Sequence, residues 1–259
     1  MKFGVCYDLN KVELLDRLGF DYIEGNVTSI ASMEEDAFNA LAEKLDGSRV
    51  KCEAACCLFP GSIKVTGPEA DETRIANYLD LAFSRLQRLG VESVVFGSGG
   101  ARNIPEGFDR AKAWHQLVSV GRLLADKAAE YGLVIALEPL NTGETNIINT
   151  QREGLDLVYD VDRPTFRILS DYYHVWLAND TREDIAACKG LLQHTHVVNP
   201  VGRKCIKSTD DIPYDNFFGG LADCGYTGRI SYEGRIENDE EELAENLKNL
   251  KAFAAKFGL

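Results

Sequence analysis

Four side chains able to hold a metal ion or move a proton fall at the ends of four successive apolar runs: Glu138, Asp171, His196 and Glu233. The first closes Leu133-Val134-Ile135-Ala136-Leu137, an unbroken stretch rich in β-branched residues that reads as a strand buried on both faces. Pro139 stops it, because proline brings no N–H to a sheet and keeps the preceding residue extended. Asp171 closes the run from Phe166, His196 lies in Leu191 to Val198, and Glu233 closes Gly228 to Tyr232. Taken singly, each is an ordinary surface acid or a packed histidine. Brought together, three carboxylates and one imidazole form an oxygen and nitrogen donor set without sulfur. Such a set suits Mn²⁺, with Mg²⁺ or Co²⁺ as alternatives, better than structural Zn²⁺. Without a cation the three carboxylates would repel one another. One divalent ion is therefore expected.

The rest of the chain must bring these residues together, and its pattern supplies the means. Strand-like runs alternate with helix-like ones throughout: strands at Lys2 to Tyr7, Tyr22 to Glu24, Lys51 to Leu58 and Glu92 to Phe96 precede the four above. The intervening helices include Asn10 to Leu18, with Asn10 as N-cap, and one opened by a Ser32-Met33-Glu34-Glu35 capping box. Further helices are expected at Asp71 to Leu89, Asp109 to Tyr131, Gln151 to Tyr159, Asp184 to Lys189, Tyr214 to Cys224 and Asp239 to Phe257. About eight strand–helix units without a linker-like break predict a single-domain (β/α)8 TIM barrel over residues 1–259. Ligands bind such a barrel at the carboxyl ends of its strands, where the four residues stand. An open doubly wound sheet is the alternative, but no G-x-G-x-x-G turn follows the first strand.

Two loops stand out. Phe59 to Pro68, with two prolines and two glycines, is long enough to be a lid. Gly97-Ser98-Gly99-Gly100-Ala101-Arg102 reads equally as an anion cradle or close-approach loop and as a flexible turn.

Composition excludes several classes. The formal net charge of -13 argues against a nucleic-acid surface. No apolar run is long enough for a bilayer, and the N-terminus lacks a signal-peptide core. The seven cysteines are odd in number and lack C-x-x-C spacing, which fits a reducing, cytoplasmic setting. The sequence is compatible with a homo-oligomer.

Val134-Ile135-Ala136-Leu137-Glu138-Pro139-Leu140-Asn141, Asp171-Tyr172-Tyr173-His174, His194-Thr195-His196 and Gly228-Arg229-Ile230-Ser231-Tyr232-Glu233 together resemble the xylose-isomerase-like TIM-barrel superfamily. The nearest likeness is to its sugar isomerase/epimerase branch, which includes D-tagatose 3-epimerase, and it covers essentially the whole chain. The resemblance implies that Glu138, Asp171, His196 and Glu233 bind the metal and that Glu138 and Glu233 are also the acid/base pair. It implies that Glu144, His174 and Arg203 contact a small sugar substrate. The implied reaction is ketose 3-epimerisation through a metal-stabilised cis-enediolate. Aldose–ketose or hydroxypyruvate-type isomerisation and an inosose dehydratase-like lyase share the metal set, and a non-catalytic sugar-binding barrel is a third class. Endonuclease relatives use histidine-rich multi-zinc sites, and this chain has four histidines. Cys205 stands where related sequences more often carry proline, which leaves the shape of the loop around Arg203 open.

Other candidates read as structural. His174 could instead orient Asp171, and Arg203 could be a surface residue. His194 shares a face with His196 and reads as core packing. Glu24 faces the same mouth without an assigned role, and Trp114 and His115 carry no chemistry.

Overall fold

The computed structural model describes residues 1–207 and 212–259. Its centre is a closed barrel of eight parallel strands in sequence order: β1 (Lys2–Cys6), β2 (Tyr22–Asn26), β3 (Lys51–Cys56), β4 (Ser93–Phe96), β5 (Val134–Leu137), β6 (Phe166–Asp171), β7 (Leu192–Val197) and β8 (Arg229–Tyr232). Pairing of β8 with β1 closes the ring, so the barrel expected from the alternating pattern is present.

Period-two alternation along each strand decides what faces the lumen. On β5, Ile135 and Leu137 pack outward into the core shared with the helices, while Ala136 joins Cys56, Val95 and Leu169 in a small interior cluster. The lumen is thus plugged by short side chains together with the Tyr22 ring, and most of the larger hydrophobics lie between barrel and helices. Above the plug the alternation points Glu24, Asp171, His194, His196 and Ser231 inward, all fully buried. The register shifts where it reaches them, between Ile23 and Glu24 and between Ile168 and Leu169. An extra residue at such a shift re-aims the side chains that follow.

Several local expectations are corrected. Asn10 is not the cap: Asp8 accepts from the Asn10 N–H and starts a short turn that leads into the helix Val12–Leu18. Ser32 opens no capping box; it ends a short helix, Val27–Ala31, which Asn26 starts by accepting from the Ser29 N–H. The next helix, Glu35–Asp46, follows Glu34 without a side-chain cap. A capping box does occur at Thr181 and Asp184, so that helix is Arg182–Ala186 rather than Asp184 to Lys189. Val27–Ala31 and Arg182–Ala186 have five residues each, too few for an apolar period to be legible.

The long loop after β3 is not a free lid. The Val65 N–H donates to Ala101, Lys64 to Gly100 at 2.8 Å, and the Thr66 hydroxyl to the Asn103 carbonyl at 2.8 Å. Gln116 brackets Gly67 from both sides, leaving Gly61 and Ser62 as an exposed tip. With its backbone already tied to the turn after β4, this loop gains little further order by closing over a ligand. Glycine is required at Gly4 on β1, where a Cβ would lie 2.3 Å from the Tyr22 ring. That ring cannot yield, because its hydroxyl is held by Ser231 at 2.7 Å inside the barrel. Gly4→Ala is expected to lower stability by about 1–3 kcal/mol through overpacking, measured by urea unfolding. An unchanged midpoint would show that the lumen has slack.

Candidate active site

The four residues at the strand ends converge. One ligand-type atom from each of Glu138, Asp171, His196 and Glu233 lies within 4.8 Å of the others. His196 Nδ1 lies 3.4 Å from Glu138 Oε1 and 3.6 Å from Glu233 Oε2. The β6–β7 register sets Asp171 beside His196.

Asp171 serves two purposes. Its Oδ1 accepts from the Tyr173 N–H at 2.9 Å and caps the helix Tyr172–Ala178. Its Oδ2 is buried without a hydrogen-bond partner, as are Glu138 Oε1 and His196 Nδ1. Buried polar atoms are rarely left unpaired, and here three from different strands face one space. A divalent cation satisfies all three at once, and hard oxygen with one imidazole is a donor set it accepts. The residues present fit a metal.

Glu24, to which no role was assigned, explains how His196 is aimed. It is fully buried and accepts from His196 Nε2 at 3.0 Å, from His194 Nε2 at 2.7 Å and from the Ser231 hydroxyl at 2.5 Å. Although burial favours its neutral form, the two histidines hold its carboxyl well below the usual range. Bonding Nε2 to Glu24 turns Nδ1 toward the quartet, the arrangement by which an outer carboxylate orients a metal-binding imidazole. His194 is therefore more than core packing: it is a second donor to Glu24. The sequence signal was present in Glu24 at the end of an inward-facing strand, but its partner lay 172 residues away.

The loops complete the site. A cavity of about 300 Å³ is lined by Glu138, Glu144, His174, Arg203 and Glu233 among others, so the three candidate substrate contacts stand beside the quartet. His174 Nδ1 accepts from the Asn141 N–H at 3.0 Å, which leaves the proton on Nε2, 3.5 Å from Asp171 Oδ2. Arg203 lies over the Tyr173 ring at 4.5 Å, donates to Glu233 at 2.6 Å and stands 3.6 Å from Glu144. It lines the cavity and is only partly exposed. The Cys205 thiol is buried, and Asn246 and Asn249 hold the backbone of the next residue, Ile206.

The turn after β4 borders the cavity and is a close-approach loop. Residues Gly99–Arg102 form one helical turn, and a Cβ at Gly97 would fall 2.2 Å from Glu138 Oε2. Glycine is needed there so that the Glu138 carboxylate can lie against the backbone. Arg102, which sequence reasoning left unassigned, is fully buried and donates to the Phe96 carbonyl. Burial pushes its guanidinium down to about 10, countered by the charges of Glu138 and Glu144.

Charge in the quartet is unevenly shared. Burial, reinforced by Glu138 and Asp171, raises Glu233 to about 8. Burial also raises Asp171, whereas at Glu138 burial is outweighed by the combined positive character of His196, His174 and Arg102, which holds it lower. Despite burial, Glu24 and Glu233 keep His196 protonated well above its ordinary range.

The family described as "Xylose isomerase-like TIM barrel" matches residues 12–253. The chain belongs to that family. Among curated relatives, a ketose 3-epimerase of Arthrobacter globiformis is 31% identical over 116 residues, spanning 44% of this chain and only 39% of the relative. A D-psicose 3-epimerase of Ruminiclostridium cellulolyticum is 26% identical over 230 residues, 86% of this chain and 76% of the relative. Of solved structures, a D-psicose 3-epimerase determined in the presence of D-fructose superposes with a TM-score of 0.86 at 19% identity, covering 99% of both chains. A 3-keto-D-glucoside 4-epimerase from E. coli superposes at 0.82 and 19% identity, over 97% of this chain and 99% of the other. No helix among the described residues is long and apolar enough to cross a membrane.

Two outcomes follow from this geometry. Glu24→Gln is expected to weaken Mn²⁺ binding by about 10–100-fold, measured by isothermal titration; unchanged affinity would show that Glu24 does not orient His196. Protons on Glu233 and His196 compete with a cation. Mn²⁺ should therefore bind more weakly at pH 6 than at pH 8 and release protons on binding, read from titrations in buffers of different ionisation enthalpy.

Proposed function

We propose that this chain is a divalent-metal-dependent ketose 3-epimerase. In this reading Glu138, Asp171, His196 and Glu233 hold the ion, with Mn²⁺ as the ion the donor set favours. Glu138 and Glu233 are the acid/base pair, and Glu144, His174 and Arg203 contact the sugar. The observation that carries the proposal is the convergence of three orphaned buried ligand atoms, from Glu138, Asp171 and His196, within a quartet whose Glu138 and Glu233 line a sugar-sized cavity. Its membership of a family with ketose and psicose 3-epimerases among its relatives supports the same conclusion.

A divalent cation bound there would withdraw electron density from a ketone and its neighbouring hydroxyl and stabilise the negative charge formed as a proton leaves. The chain's own residues move that proton. β5 and β8 are separated by two intervening strands, so their carboxylates reach the mouth from different sides. One carboxylate takes the proton from C3 of the ketose. The C–H electron pair becomes the C2–C3 double bond, and the carbonyl π pair moves onto the C2 oxygen, giving an enediolate. The other glutamate, in its acid form, delivers a proton to the opposite face of C3 as the carbonyl re-forms. One proton is lost and one gained, with no net oxidation. Arg203 fixes the Glu233 carboxylate and adds positive charge beside the developing oxyanion. The Nε2–H of His174 is a donor on the same cavity.

Glu138→Gln and Glu233→Gln each keep a ligand oxygen but remove the base, and should lower epimerisation by about 10²–10⁴-fold. Incubation with a ketose panel in D₂O, followed by NMR, separates the steps. Deuterium at C3 with inversion supports the proposal, and one variant can still exchange without inverting. Label at C1 or C2 indicates an aldose–ketose isomerase instead. Full activity in either variant would remove the two-carboxylate scheme.

A further inference from the structure

Beside the quartet lies a donor set of a different kind. The Cys6 and Cys56 sulfurs and one Glu233 carboxylate oxygen all stand within 4.8 Å of one another. Cys6 ends β1 and Cys56 ends β3, and both pack on the lumen plug, so their thiols sit on its upper surface. The set is open to entry. A recess of about 510 Å³ has Cys6, Cys56, Glu24 and Glu233 in its walls, and the two carboxylates draw a cation into it.

Two thiols this close can form a disulfide, share a metal ion or simply pack as small hydrophobes. Strand β2 lies between β1 and β3, which sets the two backbones roughly 9 Å apart. A disulfide spans at most about 7 Å between Cα atoms. A metal ion bridges the wider gap. Two thiolates on Zn²⁺, at about 2.3 Å each, stand roughly 3.8 Å from one another, a spacing that small side-chain rotations reach. Neither sulfur has a strong partner to give up: Cys56 donates to the Gly25 carbonyl at 3.6 Å, and Cys6 lies 4.0 Å from His196 Nε2. That nitrogen is committed to Glu24 at 3.0 Å. The other nearby grouping, Cys6 with Glu24 and His196, is thereby excluded, because an ion there would break the bond that aims the imidazole.

We propose that Cys6, Cys56 and Glu233 form a second metal site, selective for a thiophilic divalent cation of the Zn²⁺ or Cd²⁺ kind, and that its occupancy silences Glu233. Two sulfurs and one oxygen make a soft set where the quartet is hard, so ligand type divides the metals between the two sites. Three protein ligands, with a fourth position facing the recess, make an exchangeable site rather than a closed structural one. Without an ion both thiols stay protonated: burial raises Cys6, and the Cys6 thiol with burial raises Cys56 despite its bond with Cys57. A bound ion reverses that preference, each sulfur giving a lone pair to the metal and its proton to solvent. The site stands on its donor atoms. Only the silencing rests on the proposed proton exchange at Glu233, whose carboxylate cannot serve a substrate while a second ion holds it.

The test titrates Cd²⁺ into the Mn²⁺-loaded enzyme and follows the ultraviolet sulfur-to-cadmium charge-transfer band, which an ion in the sulfur-free quartet does not produce. The band should saturate at a single Cd²⁺ per chain, and epimerisation of the ketose panel should be lost in step with it. Cys6→Ser and Cys56→Ser should each remove the band and the sensitivity to Cd²⁺. Thermal unfolding shows whether each variant is folded, and Cys6→Ala and Cys56→Ala take their place where serine on the plug is not tolerated. Glu233→Gln should keep the sulfur band but weaken Cd²⁺ binding by roughly tenfold or more, at least the cost of losing a ligand's supporting partner. A band that survives in both thiol variants places the ion on other cysteines and overturns the site. Inhibition that survives in them without a band places Cd²⁺ in the quartet and overturns the silencing. If the wild type epimerises no ketose, the reading of the quartet fails by itself, and the band with its loss in the thiol variants still decides the second site.

Discussion

The hydrogen bond from His196 Nε2 to Glu24 is the constraint on which the site depends. A carboxylate held ionised in the barrel lumen would be very costly without partners. Glu24 has three, and all come from strands β7 and β8 across the barrel. The network is therefore satisfied only when the ring closes in register. Once it is, the imidazole has one orientation, and its second nitrogen points at Glu138 and Glu233. The same contact that settles a buried charge also aims a ligand.

Around that axis the loops act as braces. The Gly97–Arg102 turn gives Glu138 a backbone surface to lie on and carries Arg102 beneath it, while the β3 loop straps the turn in place. Asn141 fixes the tautomer of His174, and the Tyr173 ring carries the Arg203 guanidinium. Each of these residues reaches the reacting region through a neighbour, so precision comes from packing rather than from the ligands alone.

Much of this was legible in the chain. The four ligand-type residues closed runs whose apolar, β-branched character marks buried parallel strands, and strand ends are where a barrel assembles its chemistry. Eight alternating units gave the closed ring. What escaped was of two kinds. Glu24 and Arg102 depend on partners distant in sequence, and no spacing rule reports a contact made across a lumen. The short helices at Val27–Ala31 and Tyr172–Ala178 are started by side-chain caps at strand ends and are too brief to show a period. Asp171 was read for its charge alone, and its second oxygen, the cap, was hidden by the first.

The lumen plug is made of Cys56, Val95, Ala136 and Leu169 with the Tyr22 ring, whereas most of the large hydrophobics lie outside the strands. Cohesion and chemistry thus occupy separate compartments. The outer shell can tolerate the electrostatic burden of clustered carboxylates inside because it contributes most of the apolar burial. By the same separation, residues in the mouth can be exchanged for others without unpicking the shell. A barrel built in this way is a chassis: its inner rim is free to drift toward new substrates while the outer wall keeps its shape.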